Sequence, residues 1–360
     1  MMMRNPFRFI PWAIAMLTAT VLFLGPAFAD VIEIKAASPY PMQHYLTADA
    51  FELYGQEIEK RTNGKVKFKW YHAGTIAPWP TSYDAVTNGL CDLGVGGTVF
   101  HVKKMPITMG LNLPFVTDSA KHAAMVALDM YDSIPEMKKE YRKVKVLGLF
   151  STANVNLHTL VPPFKTLADI KGVRIAAAAP NVITAAKLLG ASAQPIKPQD
   201  IYMALNRKMI DGVIFPDAPI RSMKLTDLVS NHTMLNLLNA TFGIFMNQKT
   251  WDKLPADVQK VFEETTLSVS ALCGETLNNE AGWVIDELKN RGDNFYYLPP
   301  AEKAKWQAAV APMYKGWIDA LNKNGMDGQV IFDKMMAIAE KHRKNPYGTD
   351  SWWGNAGRKK

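Results

Sequence analysis

The sequence is poor in cysteine and lacks the usual signatures of catalysis. Its 360 residues contain two cysteines, Cys91 and Cys273, and two cysteines cannot form a disulfide framework. Both lie among apolar residues, at Leu90-Cys91 and Leu272-Cys273, so we expect two buried thiols. The sequence contains no HExxH, CxxC, GxSxG or Walker-type motif. These absences argue against the enzyme classes that those motifs mark.

One long apolar run lies at the amino terminus. Residues 9–24 are mostly apolar, follow two arginines and precede the small residues Ala27 and Ala29. This order predicts a secretory signal peptide over residues 1–29, cleaved after Ala29, and a periplasmic location. The alternative is an uncleaved membrane anchor, but Pro11 interrupts the run and leaves it short of a comfortable membrane span.

Cofactor and nucleic-acid signatures are also missing. The seven histidines are dispersed, and none has a second ligand at metal spacing. The segment Gly94-Val95-Gly96-Gly97 lacks the third glycine of a dinucleotide-binding loop. Removing the two signal arginines from 41 basic residues, against 33 acidic ones, leaves a charge of about +6, and the basic residues are scattered. We therefore expect no cofactor, no metal ion and no nucleic-acid partner.

The mature chain alternates between strand-like and helix-like segments. Its length is sufficient for two domains, and 48% hydrophobic residues indicate a globular protein. The alternation predicts α/β sheets with helices on both faces. The predicted strands are 31–36, 65–70, 92–96, 144–150, 173–177, 212–215 and 241–246, and the predicted helices are 43–61, 82–88, 121–141, 182–189 and 201–209.

Residues 255–291 are predicted to form one long helix. Pro255 suits the first helical position and Gly292 suits the end. At about 1.5 Å per residue the helix would extend roughly 50 Å, which exceeds one small domain. Gly274 and Gly282 lie inside it, so a break into two helices is the alternative.

The segment 196–216 carries the most functional information. Asp200 is a candidate helix cap, apolar residues follow at helical spacing, and Asp211-Gly212 turns the chain into a short apolar strand. The segment resembles the ExxYxALQxGxVDGxExP motif of the extracytoplasmic solute receptors of TRAP transporters, the DctP family. Further matching motifs occur in the family's order over nearly all of the mature chain: KRTNGKV at 60–66, VTNGLCD at 86–92, LPF at 113–115, DIKG at 169–172, GAS at 190–192 and WDKLPADVQ at 251–259.

The resemblance implies a two-lobed periplasmic binding protein fold of the α/β class with a long hinge-spanning helix. It assigns residues 30–152 and about 243–275 to lobe I, and residues 153–242 and about 276–345 to lobe II. Residues 346–360 would form a C-terminal tail. It implies a receptor, not an enzyme, that captures a small molecule, a small organic acid in most of the family, and delivers it to the membrane subunits of a TRAP permease.

The family's main binding residue is missing. In the family, an arginine on the strand after DLKG binds the solute carboxylate through two parallel hydrogen bonds. Counting from Gly172, this position holds Ala176. Arg174 lies two residues earlier, on the same face of a regular strand. It either replaces the missing arginine or matches the family's lysine and faces solvent.

Other family positions also differ, and they predict a pocket that is less cationic and more apolar than usual. Phe215 occupies the position of an asparagine, Ile214 that of a glutamate and Pro198 that of an aromatic residue, and Val155 aligns with a second arginine. Trp79, between two prolines, is expected to expose its ring, with core packing or a contact between the lobes as the alternative. The predicted ligand-binding residues are Tyr40, Trp79, Thr98, Asn154, Asn156, Arg174, Ala176, Phe215 and Asp217.

Three alternatives remain at this point. The chain could be a ligand-sensing subunit for a membrane sensor, a receptor for a neutral, aromatic or cationic solute, or an exported hydrolase with an unfamiliar site. The sequence does not separate the first from a transport receptor, and it shows no clustered nucleophile and base that would favour the last.

Overall fold

The computed structural model describes residues 31–347. The predicted signal peptide, its cleavage site after Ala29 and most of the predicted C-terminal tail lie outside this range. Within it, no helix is both long and apolar enough to cross a membrane. Cys91 and Cys273 are buried and unbonded to each other, as expected, and burial raises the pKa of the Cys91 thiol to about 12.

Eleven strands form two sheets across the described residues. The five-stranded sheet has the order β2-β1-β3-β10-β4, and the six-stranded sheet has the order β11-β9-β5-β8-β6-β7. In the first, β10 is antiparallel to both of its neighbours; in the second, β5 is antiparallel to both of its neighbours. The strands are β1 Ile32–Ala37, β2 Val66–Tyr71, β3 Leu93–Gly97, β4 Val144–Ser151, β5 Val155–Thr159, β6 Arg174–Ala177, β7 Ser192–Pro195, β8 Gly212–Pro216, β9 Asn231–Met234, β10 Thr241–Asn247 and β11 Asn294–Tyr297.

Between residues 31 and 347 the chain also forms twelve α-helices. We call the unit built on the five-stranded sheet lobe I and the unit built on the six-stranded sheet lobe II. The chain passes from lobe I to lobe II between β4 and β5 and returns between β9 and β10. The helices are α1 Glu52–Arg61, α2 Ser82–Thr87, α3 Ala120–Ser133, α4 Pro135–Glu140, α5 Pro180–Leu188, α6 Ile201–Asn206, α7 Asp217–Ser222, α8 Gln248–Trp251, α9 Ala256–Arg291, α10 Pro300–Val310, α11 Pro312–Lys323 and α12 Gly328–Lys344.

Two predicted helices differ from the structure for local reasons. The predicted helix 121–141 is divided into α3 and α4, because Ile134 is extended and precedes a proline, which disfavours helical backbone before it. The predicted helix 201–209 ends at Asn206, and Asp200 does not cap it: Asp200 belongs to a 3₁₀ turn, Pro198–Asp200, and its side chain makes no capping hydrogen bond.

The long helix α9 is continuous from Ala256 to Arg291, as predicted, and the alternative of a break is wrong. Its first half packs on α3 and β4 in lobe I, and its second half packs on α7 in lobe II. Val284 and Leu288 belong to a core cluster of lobe II, whereas Phe262 and Leu272 belong to the core of lobe I. The helix therefore joins both lobes.

The C-terminal helices correct the predicted lobe boundaries. The prediction places residues 276–345 in lobe II, but Trp317, Leu321 and Met335 of α11 and α12 lie in the core of lobe I. The indole of Trp317 donates to the carbonyl of Pro106 at 2.7 Å. Of the three described helices after α9, α10 alone follows the prediction, because Trp306 lies in the core of lobe II.

The two glycines inside α9 have different environments, which gives a stability test. A Cβ at Gly274 would lie 2.6 Å from Cα of Lys121, whereas a Cβ at Gly282 would meet nothing within 4 Å. We expect Gly274→Ala to destabilise the protein by about 1–3 kcal/mol through overpacking. Gly282→Ala should be neutral or stabilise by up to about 1 kcal/mol, because alanine favours helix. Urea unfolding of both variants checks this; equal effects would contradict the close α3–α9 contact.

Candidate functional site

Strand ends from both sheets meet where the chain crosses between the lobes. β4 ends at Ser151 and β5 begins at Val155, while β10 begins at Thr241. The hydroxyl of Thr98, after β3, donates to the carbonyl of Thr241 at 2.6 Å. The amide of Asn239 donates to Oδ1 of Asn154 at 3.1 Å. These contacts place the carboxyl ends of β3 and β4 beside the first residues of lobe II.

A hydrogen bond between asparagines links the lobes directly. Asn112, in the core of lobe I, accepts from the backbone N–H of Thr241 through its Oδ1 at 2.7 Å. Its backbone carbonyl accepts from Nδ2 of Asn181 at 3.0 Å. Because Asn181 lies in the first turn of α5, this bond ties lobe II to lobe I at the crossing region.

The lobe I side of the crossing region carries aromatic rings. The rings of Tyr40 and Trp79 meet edge to face at 4.5 Å, and Trp79 meets Phe242 in the same way at 5.2 Å. Such arrangements stabilise aromatic pairs beyond simple burial. Trp79 is half-buried on a short 3₁₀ helix, so the ring is less exposed than expected. We call Tyr40, Trp79, Thr98 and Phe242 the lobe I wall.

On the lobe II side, one face of the second sheet packs in a core cluster with α6, α7 and α9. Asn156 lies directly opposite Phe215 in the β5–β8 register, and Ala176 lies opposite Val213 in the β6–β8 register. Paired residues share a face, and residues two apart on a strand share it too. Asn156, Ala176 and Phe215 therefore lie on one face; together with Asp217 we call them the lobe II wall.

The register separates two neighbouring residues of β5. Val155 is the predicted position of the second family arginine, but its side chain belongs to the core on the opposite face of the sheet. Asn156 is the residue that stands opposite Phe215. A shift of one residue reverses the face in a strand, so the polar position on this wall is Asn156.

Asp217 and Asn156 bind each other inside the lobe II wall. Nδ2 of Asn156 lies 2.9 and 2.8 Å from the two carboxyl oxygens of Asp217, and Oδ1 of Asn156 accepts from the N–H of Asn236 at 2.7 Å. Both side chains are buried. Burial raises the pKa of Asp217 to about 7, although the bond from Asn156 opposes the shift.

Arg174 does not extend toward this wall. It lies at the start of β6, and its guanidinium binds Asp211 through Nε at 3.0 Å and Nη2 at 2.6 Å. Its side chain is 46% exposed, whereas Ala176 is fully buried. The geometry favours the alternative in which Arg174 faces solvent. No member of the lobe I or lobe II wall carries a positive charge.

An Arg174 variant tests this interpretation. The Arg174–Asp211 pair is surface-exposed, and such pairs contribute about 0–1 kcal/mol. We expect Arg174→Ala to change solute affinity by less than about threefold and to lower stability by no more than about 1 kcal/mol. Calorimetry with the solute that co-purifies checks this. A loss of tenfold or more in affinity, with stability retained, would place Arg174 at the solute.

Comparison with known proteins identifies the family. The profile of the bacterial extracellular solute-binding proteins, family 7 (DctP), matches residues 38–320. The chain belongs to this family. The sialic acid-binding periplasmic protein SiaP of Vibrio cholerae is 25% identical over 80% of this chain and 87% of its own length. The 2,3-diketo-L-gulonate-binding periplasmic protein YiaO of Escherichia coli is 21% identical over 68% of this chain and 74% of its own length.

Solved structures of TRAP solute-binding proteins share the fold. One from Desulfovibrio salexigens superposes with a TM-score of 0.81 at 22% identity and covers 88% of this chain and 98% of that one. One from Rhodoferax ferrireducens, in complex with copurified benzoate, superposes with a TM-score of 0.79 at 22% identity and covers 87% and 99%. The predicted two-lobed α/β fold with a long helix, and the predicted class of solute-binding receptor, are confirmed.

In this DctP-family chain the structure also adds residues that the sequence did not indicate. Asn112, Asn181, Asn239 and Phe242 join the crossing region through contacts with residues far away in sequence. Phe242 is the second residue of the predicted strand 241–246, and this is the one feature of the sequence that indicates its position. Within residues 31–347, no group of three His, Cys, Asp or Glu side chains is arranged to hold a metal ion.

Proposed function

We propose that this chain is a periplasmic receptor that captures a small organic solute between its lobes and delivers it to the membrane subunits of a TRAP permease. Family membership supports the class of function. The observation that carries the proposal is the pair of walls, one from each lobe, beside the chain crossings that join the lobes. On this proposal the chain is not an enzyme, and it is exported by the signal peptide cleaved after Ala29.

The walls favour a solute with a planar or apolar face. Phe215 is half-buried: part of its ring packs on the lobe II core, and part remains accessible. Across the lobes, Trp79 and Tyr40 offer further ring surface. Aromatic surface of this kind binds planar groups well. Neither wall offers a guanidinium, so a polar group on the solute would be bound by hydroxyl, amide or backbone groups.

Aromatic acids are the solute class that we propose first. Structural relatives at 22% identity include proteins whose structures hold copurified benzoate, 3-hydroxybenzoate and mandelate. Those ligands belong to those proteins. They match the apolar character of the walls here better than the uronates held by the relatives from Chromohalobacter salexigens and Sulfitobacter.

Native mass spectrometry of the exported full-length protein tests the proposal. We expect a mature mass that begins at Asp30 and a bound small molecule that is released on denaturation and contains an aromatic or similarly planar group. Refolded, solute-free protein serves as the control and should rebind the released compound at one equivalent. Failure of the refolded protein to bind that compound, or a covalently altered compound among the products, would contradict the proposal.

A further inference from the structure

Four buried polar side chains form a row across lobe II, from the lobe II wall to the turn after α9. The row consists of Asp217, His158, His232 and Asp293. His158 on β5 places Nε2 3.5 Å from Oδ1 of Asp217, and its Nδ1 lies 2.9 Å from Nδ1 of His232 on β9. Nε2 of His232 lies 3.0 Å from Oδ2 of Asp293. The side chains of all four are no more than 4% exposed. The structure therefore joins the wall to the turn after α9 through side chains alone.

The far end of this row is anionic. Asp293 accepts from the guanidinium of Arg291, whose Nε lies 2.7 Å from Oδ1. Burial acts to raise the pKa of Asp293, but the bonds from Arg291 and His232 outweigh it, and the net direction is down. A carboxylate only accepts hydrogen bonds, so Nε2 of His232 carries a hydrogen.

Counting hydrogens along the row leaves one extra proton, either on the His158–Asp217 pair or on His232. The Nδ1–Nδ1 contact requires a single hydrogen, carried by His158 or by His232. If His158 carries it and both rings are neutral, Nε2 of His158 is bare, yet it faces the carbonyl of Phe215 at 3.3 Å as well as Asp217. A ring nitrogen without a hydrogen is itself an acceptor, so its contact with two acceptor oxygens lacks a donor and is unfavourable. If His232 carries the hydrogen instead, that ring is a cation. A proton between His158 and Asp217 removes the conflict in the first case, and the cation holds it in the second. In both cases the four side chains together hold one proton more than two neutral imidazoles and two carboxylates would.

We propose that His158 is a positioning residue of the lobe II wall: it shares one proton with Asp217, and this proton holds the segment 215–217 against β5. When the proton is present, it lies between Nε2 of His158 and Oδ1 of Asp217 and holds these two groups together. When it leaves, the bare nitrogen faces a carboxylate and a carbonyl. Loss of the proton therefore loosens the end of β8, where Phe215 lies.

The surrounding charges agree with a proton on the Asp217 side. Burial raises the pKa of Asp217 to about 7, and burial together with His232 lowers the pKa of His158 to about 3. Burial also lowers the pKa of His232, against the opposing effect of Asp293. On the two helices that pack against this part of lobe II, the charged side chains Arg221 of α7 and Glu287 of α9 pair with each other at 3.5 Å. Asp227 interacts with Arg291 and raises the pKa of its guanidinium.

Nitrogen-15 spectra of the histidine rings between pH 5 and 9 test the proposal. In the wild-type protein we expect Nε2 of His158 to move toward the bare-nitrogen range in a single transition near pH 7. In Asp217→Asn the transition should disappear, and in Asp217→Glu a transition should return. Glu140→Gln is the matched control, because burial raises the pKa of Glu140 in lobe I to about 7 as well, and this variant should leave the His158 transition unchanged.

A flat His158 signal in the wild-type protein over this range overturns the proposal, whether or not the Asp217 variants fold. So does a transition that persists unchanged in Asp217→Asn. The proposal rests on the proposed function only in treating residues 215–217 as part of a solute cleft. The titration uses no solute, so its failure would leave solute capture intact, and failure of solute binding would leave the shared proton intact.

Discussion

Phe215→Asn is expected to weaken binding of the solute that co-purifies by about 1–3 kcal/mol, or roughly 5- to 150-fold. The change removes apolar ring surface from the lobe II wall and adds a hydrogen-bond donor at the position where the resemblance to the DctP family predicts an asparagine. The same variant should therefore gain affinity for simple carboxylates relative to the native solute. Isothermal titration calorimetry with both kinds of solute measures the two effects.

Part of the Phe215 ring packs on the lobe II core, so stability must be measured beside affinity. Phe215→Leu is the matched control: it retains apolar surface and packing but adds no donor. It should lose less affinity than Phe215→Asn and gain none for carboxylates. Unchanged affinities in a folded Phe215→Asn protein would show that the ring serves the core alone and that the wall is elsewhere.

Asp217→Asn is expected to become more stable relative to the wild-type protein as pH rises. The folded pKa of Asp217, about 7, lies above its ordinary value of 3.8. The folded protein therefore holds a proton that the unfolded chain releases, and its stability contribution is lost as pH rises through 7. The difference between variant and wild type should grow by about 3 kcal/mol from pH 5 to pH 8.

Urea unfolding at several pH values measures this difference. His158 contributes the opposite slope, since its folded pKa lies below its ordinary value, so the comparison with the variant is more informative than the wild-type profile alone. Asp211→Asn is the flat control, because the bond from Arg174 lowers the pKa of Asp211, and this carboxyl is therefore ionised in the folded and the unfolded protein throughout pH 5 to pH 8. A difference that stays constant from pH 5 to pH 8 would mean that Asp217 is ionised throughout.

The sequence predicts features that depend on neighbours along the chain. The single helix α9 follows from its terminal residues and its apolar spacing, and the motif around Asp211-Gly212 locates Phe215 on a strand. The position of Arg174 depends instead on an ion pair with Asp211, 37 residues away. The location of α11 and α12 on lobe I depends on packing of Trp317 against residues about 200 positions earlier.

The candidate site is predicted less well than the fold because strand register and long-range pairing decide it. Val155, the predicted position of the second family arginine, and Asn156 are one residue apart, yet their side chains lie on opposite faces of the sheet. The contact between His158 and His232 joins residues 74 positions apart. Single-sequence reasoning assigns each histidine to an ordinary structural position and gives no reason to pair them.

The central claim is that the solute is captured between the lobes. Small-angle X-ray scattering tests this claim most directly, by comparing the full mature protein with and without its co-purifying solute. The two lobes are joined by the β4–β5 and β9–β10 crossings, by α9 and by the step from α10 to α11, and they should close around the solute by hinge motion. We therefore expect a smaller radius of gyration at saturating solute than in the solute-free protein. Identical scattering profiles at confirmed saturation would contradict capture between the lobes.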